Sequence, residues 1–170
     1  MTPWAEVLRN QDRRTCDRAL LLRAPLWAVK VELSEDPLEI SFENAASLGL
    51  EPDDLVADDQ SRCRDLARRF RADPDAPRTL AVPSAALPGT TNLVLLDPYV
   101  AASYQLVPIA PEDLPVAMAA QDGRCPEGLW DLVHYRDTPT PHPALAAWQD
   151  GEEELQFEEP SIDVDAITAG

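Results

Sequence analysis

The segment from residue 79 to 98 constrains the fold of this chain more than any other part of the sequence. Two short apolar runs, 80–82 and 93–96, each have the length of a buried strand. The residues between them include two prolines, a glycine and several hydroxyl and amide side chains, which break regular structure. We therefore predict two strands joined by a structured turn, with Ser84 directly after the first strand.

Ser84 has two alternative roles in such a turn. A polar side chain that follows a buried strand, with its backbone fixed by the preceding Pro83, is well placed to face a cleft. Alternatively, the hydroxyl group only satisfies backbone groups of the turn itself. The local role is the commoner one for a serine in a turn, and both interpretations stay open at this point.

The length and charge of the chain limit its class of function. A chain of 170 residues is long enough for one domain with a substantial core. The net charge is −17, and residues 111–170 hold 14 acidic side chains against two basic ones. Such a charge repels phosphate backbones and predicts no direct binding of nucleic acid. We predict that 121–170 is an acidic, proline-rich and weakly ordered tail, either solvated or a docking surface for a basic partner.

The sequence also indicates the compartment. It contains no apolar run of about 18 residues or more, so we predict no membrane span. The first residues do not follow the pattern of a signal peptide, which favours the cytoplasm. The three cysteines, at 16, 63 and 125, are scattered and odd in number, as expected of reduced thiols. Their spacing to the two histidines does not predict a zinc site.

Hydrophobic periodicity predicts further elements on either side of the central segment. In chain order these are a short helix at the start of the chain, a strand at 26–33, a short edge strand at 38–40, a helix at 60–71 and a strand at 101–110.

The helix predicted at 60–71 is unusually basic. A cluster of arginines suggests an anion site, but aspartates lie beside them in the sequence, and solvated ion pairs explain the pattern as well. We favour the ion pairs. The arginines are Arg62, Arg64, Arg68, Arg69 and Arg71.

Two separated segments resemble the RES family, the toxin components of bacterial toxin–antitoxin pairs, which is named for an arginine, a glutamate and a serine. The segment 2–9, TPWAEVLR, is similar to the family's T-A-x-A-E helix start and matches the family glutamate to Glu6. The segment 82–95 is similar to the family's P-S-A…N-x-x-L stretch and matches the family serine to Ser84. The resemblance covers about residues 2–110, so we assign 1–120 to a RES-like domain.

The resemblance implies an α+β fold like that of the ADP-ribosyltransferases, with a mostly antiparallel split sheet, flanking helices and an incomplete N-terminal part. It implies NAD as the substrate, degraded by hydrolysis, phosphorolysis or ADP-ribosyl transfer, with no metal. Glu6 would stabilise the positive charge that develops on the ribose. Ser84 would position Glu6 or the nicotinamide ribose, and Asn92 is a weaker candidate for a supporting polar group. A cognate antitoxin protein is the implied partner.

One departure from the family pattern affects this interpretation. The family arginine precedes the glutamate, whereas no arginine precedes Glu6 in this chain. Either the natural start lies upstream, or the chain is a truncated, catalytically inactive member that acts only as a binding protein. As written, the sequence predicts poor turnover of NAD. Without the resemblance, Glu6 is an acidic residue near a helix N-terminus that complements the helix dipole.

Overall fold

The computed structural model describes residues 2–10, 30–96, 104–107, 127–152, 155 and 157. These residues form an α+β arrangement in which none of the helices is long and apolar enough to cross a bilayer. The elements are α1 (Thr2–Arg9), β1 (Lys30–Leu33), β2 (Leu38–Glu39), α2 (Ser61–Ala72), β3 (Thr79–Pro83), β4 (Thr91–Leu95), β5 (Tyr104–Val107) and α3 (Pro143–Gln149), with short 3-10 helices at Ala45–Leu48, Pro52–Leu55 and Glu127–Asp131.

Two separate sets of strands are present in the described residues. β2, β3 and β4 form a mixed sheet in that order, with β2 parallel to β3 and β3 antiparallel to β4. The register of the β3–β4 pair places Val82 opposite Asn92. β1 pairs with β5 in an antiparallel ladder. The predicted turn of 83–92 therefore joins two neighbouring strands, as the apolar runs on either side of it indicated.

One face of the mixed sheet is covered by α2. Side chains of alternate residues in a strand point to opposite faces, so Leu80, Val82 and Val94 meet the helix on one face. Leu66 of α2 is buried against this face, while Leu93 on the opposite face is 45% exposed. This arrangement forms the first core of the protein, completed by Ile40, Ala45, Leu50 and Leu96.

A second core lies beside α1 and includes the C-terminal part of the chain. Trp4, Ala5 and Leu8, which fall on one face of α1, pack against Ala86 and Leu87 of the turn after β3. The sequence predicts a weakly ordered tail at 121–170, but part of this segment completes the second core. The residues are Leu129, Trp130, Val133 and Tyr135. The turn that carries Ser84 is thus held between β3, α1 and the segment after residue 127.

The other helix and strands predicted from the sequence lie before and after the central segment of residues 79–98. The helix predicted at 60–71 is observed as α2, and the strand predicted at 38–40 is observed as β2. Of the strand predicted at 101–110, residues 104–107 are described and form β5. Of the strand predicted at 26–33, residues 30–33 are described and form β1. Cys16 and Cys125 lie outside the described residues, and Cys63 is a free thiol.

Candidate functional site

Glu6 lies at the edge of the face of α1 that packs into the second core. Its neighbours Trp4, Ala5 and Leu8 are buried and fix the rotation of the helix about its axis. This rotation leaves Glu6 half-buried, facing the turn after β3 and the end of the sheet. The packing of the apolar side chains of α1 therefore determines the position of the Glu6 carboxylate.

Ser84 combines the two roles that the sequence left open. Its Oγ accepts hydrogen bonds from the backbone N–H groups of Ala86, at 3.3 Å, and Leu87, at 3.1 Å. The same hydroxyl donates to Oε1 of Glu6 at 3.2 Å. Ser84 is only 1% exposed, and its hydroxyl joins the turn after β3 to the carboxylate of Glu6.

Asn92 makes the second contact with the carboxylate. Its Nδ2 donates to Oε1 of Glu6 at 2.7 Å from its place on β4. The three candidate site residues, which are up to 86 positions apart in the sequence, therefore meet at one oxygen atom. The other oxygen, Oε2, accepts no hydrogen bond from the described residues. The arrangement fixes the carboxylate through one oxygen and leaves the second available.

Glu6 and Asn92 line a cavity of about 270 Å³ between α2 and the sheet. Most of its wall is apolar, with Ile40, Leu80 and Val94 among the lining residues. Glu6 is its single acidic lining residue within the part of the chain that the structure describes. An apolar wall lowers the local dielectric constant and strengthens the interaction of a fixed carboxylate with a nearby positive charge.

Cys63 also lines this cavity, but its thiol is not suited to act as a nucleophile. Burial raises the pKa of the Cys63 thiol, and the neighbouring Asp54 carboxylate raises it further. The Sγ atom lies 3.3 Å from the backbone oxygen of Asp54, to which the protonated thiol donates. Because the thiolate is the reactive form of cysteine, this residue is a polar part of the wall. Nor do the described residues bring together three or more histidine, cysteine or acidic side chains around a possible metal position.

Arg9, one turn after Glu6, is a part of the site that the sequence did not reveal. It is only 3% exposed, and its guanidinium donates to the backbone oxygens of His134, at 2.7 Å, and Val56, at 3.1 Å. It also forms an ion pair with Asp58 at 2.7 Å. Burial lowers the pKa of Arg9, while Asp58 and Glu6 act in the opposite direction, and arginine stays charged at neutral pH. Arg9 thus fastens the helix that carries Glu6 to two distant segments.

His142 lies near Arg9 and the backbone of Ser84, and the sequence did not reveal its place in the site either. It is 4% exposed, and its ring meets that of His134 edge-on with the centroids 4.9 Å apart. Neither ring nitrogen of His142 has a hydrogen-bond partner among the described residues. Burial lowers the pKa of His142 to about 4, with His134 and Arg9 adding to the shift and the backbone of Ser84 opposing it. The imidazole is therefore neutral at physiological pH.

This environment predicts that acid destabilises the fold through His142. Its pKa falls from an ordinary value of 6.5 to about 4 on folding, so the unfolded chain takes up the proton first as the pH falls. The stability is complete above pH 6.5 and decreases toward pH 4, by up to about 3 kcal/mol from this group. We expect His142→Phe to flatten this slope, measured as the free energy of urea unfolding at several pH values.

The control for this experiment is the wild-type chain over the same pH range, because carboxylates contribute equally in both proteins. An unchanged difference in stability between about pH 7 and about pH 4.5 in the variant would show that His142 does not titrate in this way.

Comparison of the chain with family models, curated proteins and solved structures finds no match. Fold and site together define an α+β protein in which a serine and an asparagine hold one carboxylate beside an apolar cavity.

Proposed function

We propose that this chain is a RES-type protein that cleaves the nicotinamide–ribose bond of NAD, with Glu6 as the catalytic carboxylate. The observation that carries the proposal is the contact of both Ser84 and Asn92 with Oε1 of Glu6. The two motif segments that resemble the family supply all three residues. Their meeting at one oxygen is what a shared site requires and what unrelated matches would rarely produce.

The chemistry of the bond suits a single carboxylate. The nicotinamide nitrogen of NAD is positively charged, and when the bond breaks the electron pair leaves with it, so the leaving group is neutral and needs no proton. Positive charge develops on the ribose instead. A carboxylate held in place stabilises this charge more in the transition state than in the substrate, which is the condition for catalysis. Oε2 of Glu6 is the oxygen available for this contact.

The cavity fits the substrate in character as well as in charge. Its apolar wall is suited to a flat aromatic ring such as nicotinamide, and it keeps water from screening Glu6. Ser84 acts through Glu6 and is a positioning residue, as is Asn92. After the nicotinamide–ribose bond breaks, water, phosphate or a protein group adds to the ribose.

The proposal also includes an ADP-ribosyltransferase-like split sheet, a cytoplasmic location and a cognate antitoxin.

The substitution Asn92→Leu tests the positioning role without disturbing the turn around Ser84. It keeps the approximate volume and removes the 2.7 Å hydrogen bond to Glu6. We expect kcat for nicotinamide release to fall by about 10- to 100-fold with a small change in KM, because the carboxylate loses one of its two fixed contacts.

Thr91→Val is the matched control, since residue 91 is adjacent on β4 and its side chain points to the opposite face of the sheet. Equal losses in both variants would contradict the positioning role of Asn92. A wild-type chain that releases no nicotinamide and gains no thermal stability with NAD would contradict the proposed function as a whole, leaving a protein that binds other partners.

A further inference from the structure

The arginines of α2 are not equivalent in the structure. Four of the five have defined partners within the described residues. Arg62 pairs with Asp54 at 3.1 Å, Arg68 pairs with Asp65, Arg69 donates to the backbone oxygen of Leu48 at 2.8 Å, and Arg71 donates to that of Leu96 at 3.0 Å. The ion pairs and backbone contacts expected of a basic surface helix therefore account for four of the side chains.

Arg64 is the exception. Its side chain is exposed, and it forms no hydrogen bond or ion pair with any residue that the structure describes. It lines the same cavity as Glu6, together with Cys63 and Ala67, which lie on the same face of α2, and with Gln60 directly before the helix. The fold thus directs the single unpartnered guanidinium of this helix toward the candidate site.

The cavity consequently offers two opposite charges that do not neutralise each other. Glu6 is held by Ser84 and Asn92 and forms no ion pair with Arg64. The wall between them is mostly apolar. Such a cavity suits a ligand that carries a positive group and an anionic group on one molecule. A guanidinium binds phosphate oxygens with two parallel hydrogen bonds, which makes arginine well suited to the anionic part.

We infer that Arg64 binds the diphosphate of a dinucleotide whose nicotinamide ribose lies at Glu6. This inference rests on the proposed function and assigns the anion-binding subsite of the same cavity. The net charge of −17 makes the local cation necessary, because the protein as a whole repels a diphosphate. Arg64 is accordingly a residue that determines affinity and selects phosphorylated substrates over nucleosides.

The test compares the binding of ADP and adenosine, which differ in the diphosphate, to the full chain by titration calorimetry at low salt. The variants are Arg64→Gln and, as the matched control, Arg68→Gln, which removes an equal charge from the same helix at a residue outside the cavity lining. We expect Arg64→Gln to weaken ADP binding by about tenfold or more and to leave adenosine binding unchanged, while Arg68→Gln binds ADP as the wild type does.

Three results would overturn the inference: no ADP binding by the wild type, equal ADP affinity in Arg64→Gln, or an equal loss in Arg68→Gln, which would indicate a general charge effect. The proposed function fails separately. ADP binding that depends on Arg64, without any release of nicotinamide from NAD, would support the subsite and contradict the catalytic role of Glu6. Nicotinamide release with an unchanged KM for NAD in Arg64→Gln would support the catalytic role of Glu6 and contradict the subsite at Arg64.

Discussion

In the protein as its own cell makes it, replacing Glu6 with glutamine is expected to lower the rate of nicotinamide release from NAD by about two to four powers of ten. Glutamine has the shape of glutamate, and its side-chain oxygen still accepts the hydrogen bonds that Ser84 and Asn92 donate to Oε1. The fold and the cavity are therefore retained, while the negative charge is lost. The transition state, in which the ribose is most positive, loses more stabilisation than the bound substrate does.

The measurement is kcat at saturating NAD, followed by chromatographic detection of nicotinamide. Glu39→Gln serves as the control, because Glu39 is an exposed glutamate on β2 that does not line the Glu6 cavity. We expect this control to keep the wild-type rate. If Glu6→Gln releases nicotinamide as fast as the wild type, Glu6 is not the catalytic carboxylate.

The substitution Arg9→Met is expected to lower the free energy of unfolding by about 2–4 kcal/mol. Methionine fills much of the same volume but leaves the buried backbone oxygen of Val56 and the part-buried one of His134 without their donor. The ion pair with Asp58 adds little, since Asp58 is 43% exposed and the pair is partly screened by water. Most of the loss therefore comes from the unsatisfied carbonyl groups.

Arg68→Met provides the same chemical change at an exposed position of α2, where the ion pair with Asp65 lies in solvent. We expect this variant to lose about 0.5 kcal/mol or less in urea unfolding. If the two variants were equally stable, Arg9 would not fasten α1 to the rest of the protein.

The part of the site that could be predicted from the sequence rests on local signals. Two apolar runs and the turn between them predicted two strands with Ser84 directly after the first, and the structure contains these strands as β3 and β4, with Asn92 inside β4. The contact of both residues with Glu6 crosses 78 and 86 positions of sequence. No periodicity carries such information. The resemblance to a family gave the contact of Ser84 with Glu6 as one of two alternatives and Asn92 only as a weaker candidate. The catalytic role of Glu6 stays a prediction.

Arg9 and His142 could not be found in this way, because their roles depend on contacts far along the chain. Arg9 ends a short amphipathic helix, where a basic residue usually lies in solvent and complements the helix dipole. Its burial arises from the segments around residues 56 and 134. His142 stands in a run rich in proline and threonine within the segment predicted to be weakly ordered, and it is buried with its ring against that of His134 and near the guanidinium of Arg9.

The contacts of the arginines of α2 could also be predicted only in part from the sequence. The nearby aspartates correctly indicated the ion pair of Arg68 with Asp65, whereas Arg62 pairs with the more distant Asp54. Which of the remaining side chains would face the cavity depends on how α2 is rotated against the sheet, and this is set by the packing of Leu66. The sequence therefore revealed a basic helix but not the position of Arg64.

The most direct test of the central claim is a proton NMR time course of NAD mixed with the protein as its own cell makes it. The account predicts that free nicotinamide appears at the rate at which NAD disappears, and that the Glu6→Gln protein releases it at least about 100-fold more slowly. NAD that stays intact in the presence of the wild-type protein, at concentrations that saturate any binding, would contradict the claim that Glu6, Ser84 and Asn92 form an NAD-cleaving site.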